Sequence, residues 1–146
     1  MVAILLLPAF IEIAGAAVAP LSEANLKKKA VHVVSGTVLE VQVSTEKSKI
    51  EKGVGLYLYR DKIYRIALRV DVVSKTGDKA VKVGEKIEVI AWRPALRVPP
   101  MPGPQGHDSI PGKGDRVTVY LKGKDGKAFK PILPNGLKVH EEPAED

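Results

Sequence analysis

Apolar and polar residues alternate along much of this chain with the period of two that a half-buried β-strand produces. The run from Ile63 to Val73 is the clearest. Tyr64, Ile66, Leu68, Val70 and Val72 fall on one face, with Arg65, Arg69 and Asp71 on the other. The same alternation places Ile87, Val89 and Ala91 inward within Lys86–Trp92, and Val117, Val119 and Leu121 inward within Arg116–Lys122. Ala30–Ser44 reads as a long first strand, with Thr37, Leu39, Val41 and Val43 on one face and Val38, Glu40 and Gln42 on the other. Gly36 inside that run marks a bulge or sharp bend. Leu56–Tyr64 carries Tyr57, Tyr59 and Tyr64, and its Arg60-Asp61-Lys62 triplet reads as a turn between two short strands. Ala128–His140 is interrupted by Pro131 and Pro134 and therefore suits an edge.

Turn chemistry separates these runs. Ser74–Asp78 contains Gly77, Lys124-Asp125-Gly126 is a hairpin signal, and Pro134-Asn135-Gly136 reads as a tight turn. VGEKIEV at Val83 and KGDRVTV at Lys113 repeat one device, a glycine–acid step into an alternating strand. The long segment Trp92–Asp115 holds six prolines and four glycines. Those prolines forbid a helix there, so it is expected to cap one end of the domain in extended form, with Trp92 and Met101 as buried plugs.

The ends of the chain differ from its body. Val2–Ala19 is almost wholly apolar and closes on small residues, the pattern of a signal peptide cleaved after Ala16 or Ala17; a retained anchor helix is the alternative. The reading divides the chain into this leader (residues 1–19), a polar linker (20–30) with one helical turn opened by Ser22, a β-domain (31–140) and a disordered acidic tail (141–146).

Composition narrows the chemistry. The chain has 146 residues and 45% hydrophobic content, enough for one modest core, built from aliphatics because aromatics are only 5%. It has no cysteine, which excludes disulfides, thiolate metal sites and cysteine nucleophiles. The net charge of +6 hides an asymmetry: all 23 basic residues lie in the body of the chain (residues 20–140), which holds only 12 of the 17 acids, so the body carries +11. That charge suits either a solubilising coat or contact with a polyanion.

With these runs laid out, the body resembles a small five-stranded Greek-key barrel of the OB-fold type, and more particularly uncharacterised secreted bacterial β-barrel domains. The resemblance rests on VVSGTVLEV, YRIALRVDVV, VGEKIEVIAWRP, GPQGHDSIPGKGDRVTVYL and PNGLKV, which together span roughly Val31–Val139. It implies an all-β barrel with a proline- and glycine-rich loop between strands 3 and 4 where related barrels often place a helix, preceded by an apolar leader helix. It implies export to the periplasm or cell envelope, and no activity.

Candidate chemistry is sparse. His32, His107 and His140 are too dispersed for a metal site, and no cofactor-binding motif is present. His107-Asp108 is the histidine–acid pair of the central loop, read as an exposed turn, so the expectation is a non-enzyme. OB-type barrels bind oligomers across strands 2 and 3. The corresponding ligand-binding candidates here are Arg65, Arg69, Tyr57, Tyr59, Trp92, Arg93 and His107. Two function classes follow: an exported binding or scaffolding module with an envelope protein as partner, or a binder of oligonucleotide or anionic oligosaccharide through a basic strand 2–3 face.

Overall fold

A computed structural model describes residues 18–49, 58–100 and 103–142. The leader lies outside them, apart from its last two residues, as do Tyr57 and Met101. The described chain is one short helix, α1 (Glu23–Lys29), followed by six strands: β1 (His32–Lys47), β2 (Leu58–Lys75), β3 (Lys86–Val98), β4 (Arg116–Asp125), β5 (Ala128–Pro131) and β6 (Leu137–His140). Their order is β1-β2-β3-β5-β4-β6, and β1 also pairs with β4. Five strands therefore close into a ring, with β6 attached outside it along β4. All pairings are antiparallel except that of β3 with β5. The sequence predicts five strands. The sixth arises because the prolines that interrupt Ala128–His140 split it into β5 and β6, which share one edge of β4.

The inward alternation fills the ring. Val34, Val38, Ile66, Leu68, Val70, Ile87, Val89, Ala91, Val117, Val119, Leu121, Phe129 and Leu137 form one buried cluster. Most of these side chains are aliphatic, as an alternating pattern poor in aromatics requires.

Two bulges shift the expected faces. In β1, Val38 pairs with Leu68 and Glu40 with Ala67, so Leu39 is the extra residue. Val34 and Val38 point inward before it and Val41 packs on the core after it, while Val43 is 55% exposed. Thr37, Leu39, Val41 and Val43 therefore do not share a buried face. In β2, Ser35 pairs with Val72 and Gly36 with Val70, which leaves Asp71 unopposed. That turns Val72 out to solvent and brings Val73 onto the core.

Gly36 lets β1 bend hard against β2. A Cβ there would stand 2.1 Å from the Arg69 carbonyl oxygen, closer than any side chain can approach. Two further expectations change at the far end of the sheet. The Arg60-Asp61-Lys62 triplet is no turn, because it lies inside the continuous β2 with Asp61 buried. Strand β3 also runs on to Val98, so the first residues of the proline-rich segment are sheet rather than loop.

The stretch read as a linker is part of the packed structure. Ser22 caps α1, its Oγ accepting from the Asn25 N–H at 3.3 Å. Leu26 is fully buried in a second, smaller cluster with Ala30, Val33, Tyr120 and Ile132. A leucine so placed contributes about 1.5–3 kcal/mol. Asn135 reinforces the docking, accepting from the Leu21 N–H at 3.0 Å and donating to its carbonyl at 2.7 Å.

Candidate functional site

Outward residues of β2, β3, β4 and β5, with the end of β1, surround a cleft of about 400 Å³. Its floor is apolar: Ile63 from β2, Ile90 and Trp92 from β3, Pro131 from β5, and Leu133 beyond it. Its rim is basic: Lys47 and Lys49 at the end of β1, Arg65 from β2, Lys122 from β4 and Lys130 from β5. Glu46 and Asp61 are the carboxylates among the lining residues. Asp61 does not offset the rim, because it is committed elsewhere: Arg97 Nη2 pairs with its Oδ1 at 2.6 Å and Ser48 Oγ donates to its Oδ2 at 2.7 Å. Glu88 stands 3.4 Å from Arg65 in an exposed pair, too solvated to hold that guanidinium firmly.

The register explains the assembly. Ile63 pairs with Trp92 and Arg65 with Ile90, so these four point to the same side of the β2–β3 ladder. Val89 pairs with Phe129 in parallel, which sets Lys130 one residue on beside Ile90. Leu121 and Phe129 take inward positions, so Lys122 and Lys130 face out.

Of the seven predicted site residues, this cleft gathers Arg65, Trp92 and His107. Arg69 lines a second cavity of about 550 Å³, with Thr37, Arg116 and His140. In that cavity Arg69 Nε pairs with Asp71 Oδ1 at 3.1 Å, and Thr37 Oγ1 donates to Asp71 Oδ2 at 2.8 Å. The bonds from Thr37 and Arg69 hold the Asp71 carboxyl below its ordinary pKa. Asp71, Glu141 and Glu142 all line this second cavity, so its two arginines are outweighed by carboxylates. The basic strand 2–3 face is thus divided: Arg65 serves the cleft and Arg69 does not.

Arg93 and Tyr59 serve the packing of the domain. Arg93 Nε donates to the His107 carbonyl at 2.8 Å and its Nη2 to the Asp108 carbonyl, tying the loop before β4 down onto β3. Tyr59 is 8% exposed, with the Arg97 guanidinium over its ring at 5.3 Å. Tyr57 lies outside the described residues.

The sequence places His107 in an exposed turn. Instead it is 3% exposed, while Asp108 next to it is open to solvent. Its N–H donates to the Trp92 carbonyl at 3.0 Å, and its Nδ1 accepts from the Trp92 N–H at 3.1 Å. Nδ1 therefore carries no proton, and Nε2–H faces the Pro131 carbonyl at 3.4 Å. Burial pushes the pKa of this imidazole down, outweighing the bonds to Pro131 and Trp92 that raise it. His107 is a neutral bracket at the edge of the cleft.

Sequence reasoning missed Lys47, Lys49, Lys122 and Lys130. The signal existed for two of them, since Lys122 follows inward Leu121 and Lys130 stands between Phe129 and Pro131. Only the parallel β3–β5 contact, which no local pattern announces, brings both to Ile90. Among the described residues, no three histidine, aspartate or glutamate side chains gather as a metal site, and no helix is long and apolar enough to cross a membrane. No protein-family model, curated protein or solved structure matches this chain.

Proposed function

We propose that this protein is a non-catalytic OB-type binding module of the bacterial cell envelope, and that its cleft takes an anionic oligosaccharide. The observation that carries the reading is the concentration of five cationic side chains around one apolar-floored cleft on the outer β2–β3 face. A ring ordered β1-β2-β3-β5-β4 and closed through β1–β4 supports the OB assignment, as do the cleft's strands, which include the second and third. The apolar leader pattern supports export, and with it an envelope ligand. Nucleobases would want open aromatic faces to stack upon. Tyr59 and Trp92 are each only 8% exposed, which favours a saccharide held by its charge.

The test compares a uronic-acid oligosaccharide with single-stranded DNA of equal charge across a salt series. Binding of the saccharide should weaken linearly in log–log form as salt rises. The double variant Lys122→Ala, Lys130→Ala should flatten that slope, whereas Lys113→Ala, on a turn away from the cleft, should not. Preference for the DNA would reassign the ligand, and salt-independent or absent binding to both would refute the reading.

A further inference from the structure

A purely ionic oligomer needs the rim of the cleft and has no use for its floor. Ile63, Ile90 and Leu133 are half-buried on the outer side of the sheet, where neighbouring outward positions carry Arg65, Glu88 and Lys130. Trp92 and Pro131 complete one contiguous apolar surface beneath the cations. The cleft volume of about 400 Å³ lies in the range of small-ligand sites, and concave apolar floors with a few polar anchors are how such sites hold their ligands. Isolated exposed aliphatics need no explanation, but a grouped set within a charged rim does.

We propose that the occupant of this cleft is an anionic amphiphile: a ligand whose phosphate or carboxylate group meets the lysine rim while a hydrocarbon substituent lies on the Ile63–Ile90–Leu133 floor. The inference rests on the binding role proposed for this cleft and narrows its ligand to an anionic saccharide carrying an acyl or alkyl group. Charge complementarity decides the head group. Lys47, Lys49, Arg65, Lys122 and Lys130 face Glu46 and an Asp61 already paired with Arg97. Lysines suit this arrangement, since each presents its charge as a point at the end of a long side chain and can meet one head group from several directions. The second cavity offers no comparable floor: Val72 and Val117 are the aliphatic residues lining it, and carboxylates outnumber its arginines.

The test uses n-alkyl phosphates of increasing chain length, each kept below its micelle concentration, with inorganic phosphate as the zero-length member. Calorimetric titration should show affinity rising by up to about fourfold per added methylene until the floor is covered, the gain expected from burying a CH₂ group. Ile90→Thr should keep the strand but flatten this chain-length dependence. Lys122→Ala, Lys130→Ala should weaken every member by a similar factor and leave the dependence intact. Affinity independent of chain length, or a dependence unmoved by Ile90→Thr, would overturn the proposal. A uronic-acid oligosaccharide that binds while the alkyl phosphates show no chain-length gain would refute the amphiphile alone. Chain-length-dependent binding with no saccharide affinity would instead refute the oligosaccharide reading.

Discussion

Asp61 and Arg97 form an ion pair at 2.6 Å with side chains only 3% and 11% exposed, at the end of the β2–β3 ladder farthest from α1. Arg97 Nη1 also donates to the carbonyls of Arg60 at 2.6 Å and Leu96 at 2.8 Å, and Asp61 accepts from Ser48 Oγ. The network ties Ser48, just past the end of β1, to β2 and through it to β3, and takes Asp61 out of the charge balance of the cleft.

Breaking that pair from one side should be costly. Asp61→Ala would strand a largely desolvated guanidinium, and loss of about 3–5 kcal/mol of unfolding free energy is expected in urea titrations. Replacing both partners, Asp61→Leu with Arg97→Met, should cost far less, because neither charge is then buried alone. Equal destabilisation by the single and double variants would show that the pair does not hold this end of the sheet.

Asp61 also marks where the sequence stopped being readable. The core-facing sets Ile66-Leu68-Val70, Ile87-Val89-Ala91 and Val117-Val119-Leu121 were legible because alternation is local and each strand there is regular. Bulges at Leu39 and Asp71 were not, since a bulge is a property of two strands and only one is in view at a time. A charged triplet such as Arg60-Asp61-Lys62 resembles a turn until Arg97, 36 residues away, is seen to neutralise its middle member. The cleft was half legible for the same reason. Arg65 and Trp92 lie on strands with a clear pattern, whereas Lys122 and Lys130 reach the site only through the parallel β3–β5 contact.

Gly36 offers a sharper test of the bend. Gly36→Ala places a methyl 2.1 Å from the Arg69 carbonyl oxygen and 3.1 Å from Leu68 Cδ1. The obstructing atom is backbone, so β1 and β2 must separate, and a loss of at least about 2 kcal/mol is expected from overpacking with broken ladder bonds. Gly112→Ala provides the control, because the nearest atom to its new methyl is Asp115 Oδ2 at 3.8 Å, an ordinary contact. Its unfolding free energy should remain within about 0.5 kcal/mol of the parent. Similar losses in both variants would point to general glycine sensitivity rather than to close approach of the strands.

The His107–Trp92 bracket predicts its own mutational signature. His107→Ala removes the acceptor of the buried Trp92 N–H and leaves that donor without its partner, at a cost of about 1–3 kcal/mol beyond the lost packing. Asp108→Ala touches only an exposed side chain and should change stability little. Because Trp92 and His107 both line the cleft, His107→Ala should also shift the Trp92 fluorescence maximum. An unshifted spectrum with unchanged stability would remove His107 from the structural role assigned to it.

The two buried histidines should make stability depend on pH in a window well above that of the carboxylates. Burial lowers the pKa of His107, and burial lowers that of His32, whose Nδ1 sits 3.1 Å from Thr76 Oγ1 and accepts from the Gly77 N–H at 3.2 Å. Both are depressed in the folded state, so the unfolded chain binds the extra protons first. Stability is therefore fully present above the unfolded histidine pKa of about 6.5 and declines as pH falls below it, by at most about 1.4 kcal/mol per pH unit for each histidine. Asp71, whose pKa is held down by Thr37 and Arg69, adds its own loss only below the ordinary carboxylate range. Urea midpoints measured from about pH 7.5 down to about pH 5.5 should fall steadily in the parent protein. In His107→Gln the same series should fall less steeply, since one of the two titrating groups is gone. A parent midpoint that stays flat across this range would mean that neither imidazole is kept neutral by its surroundings.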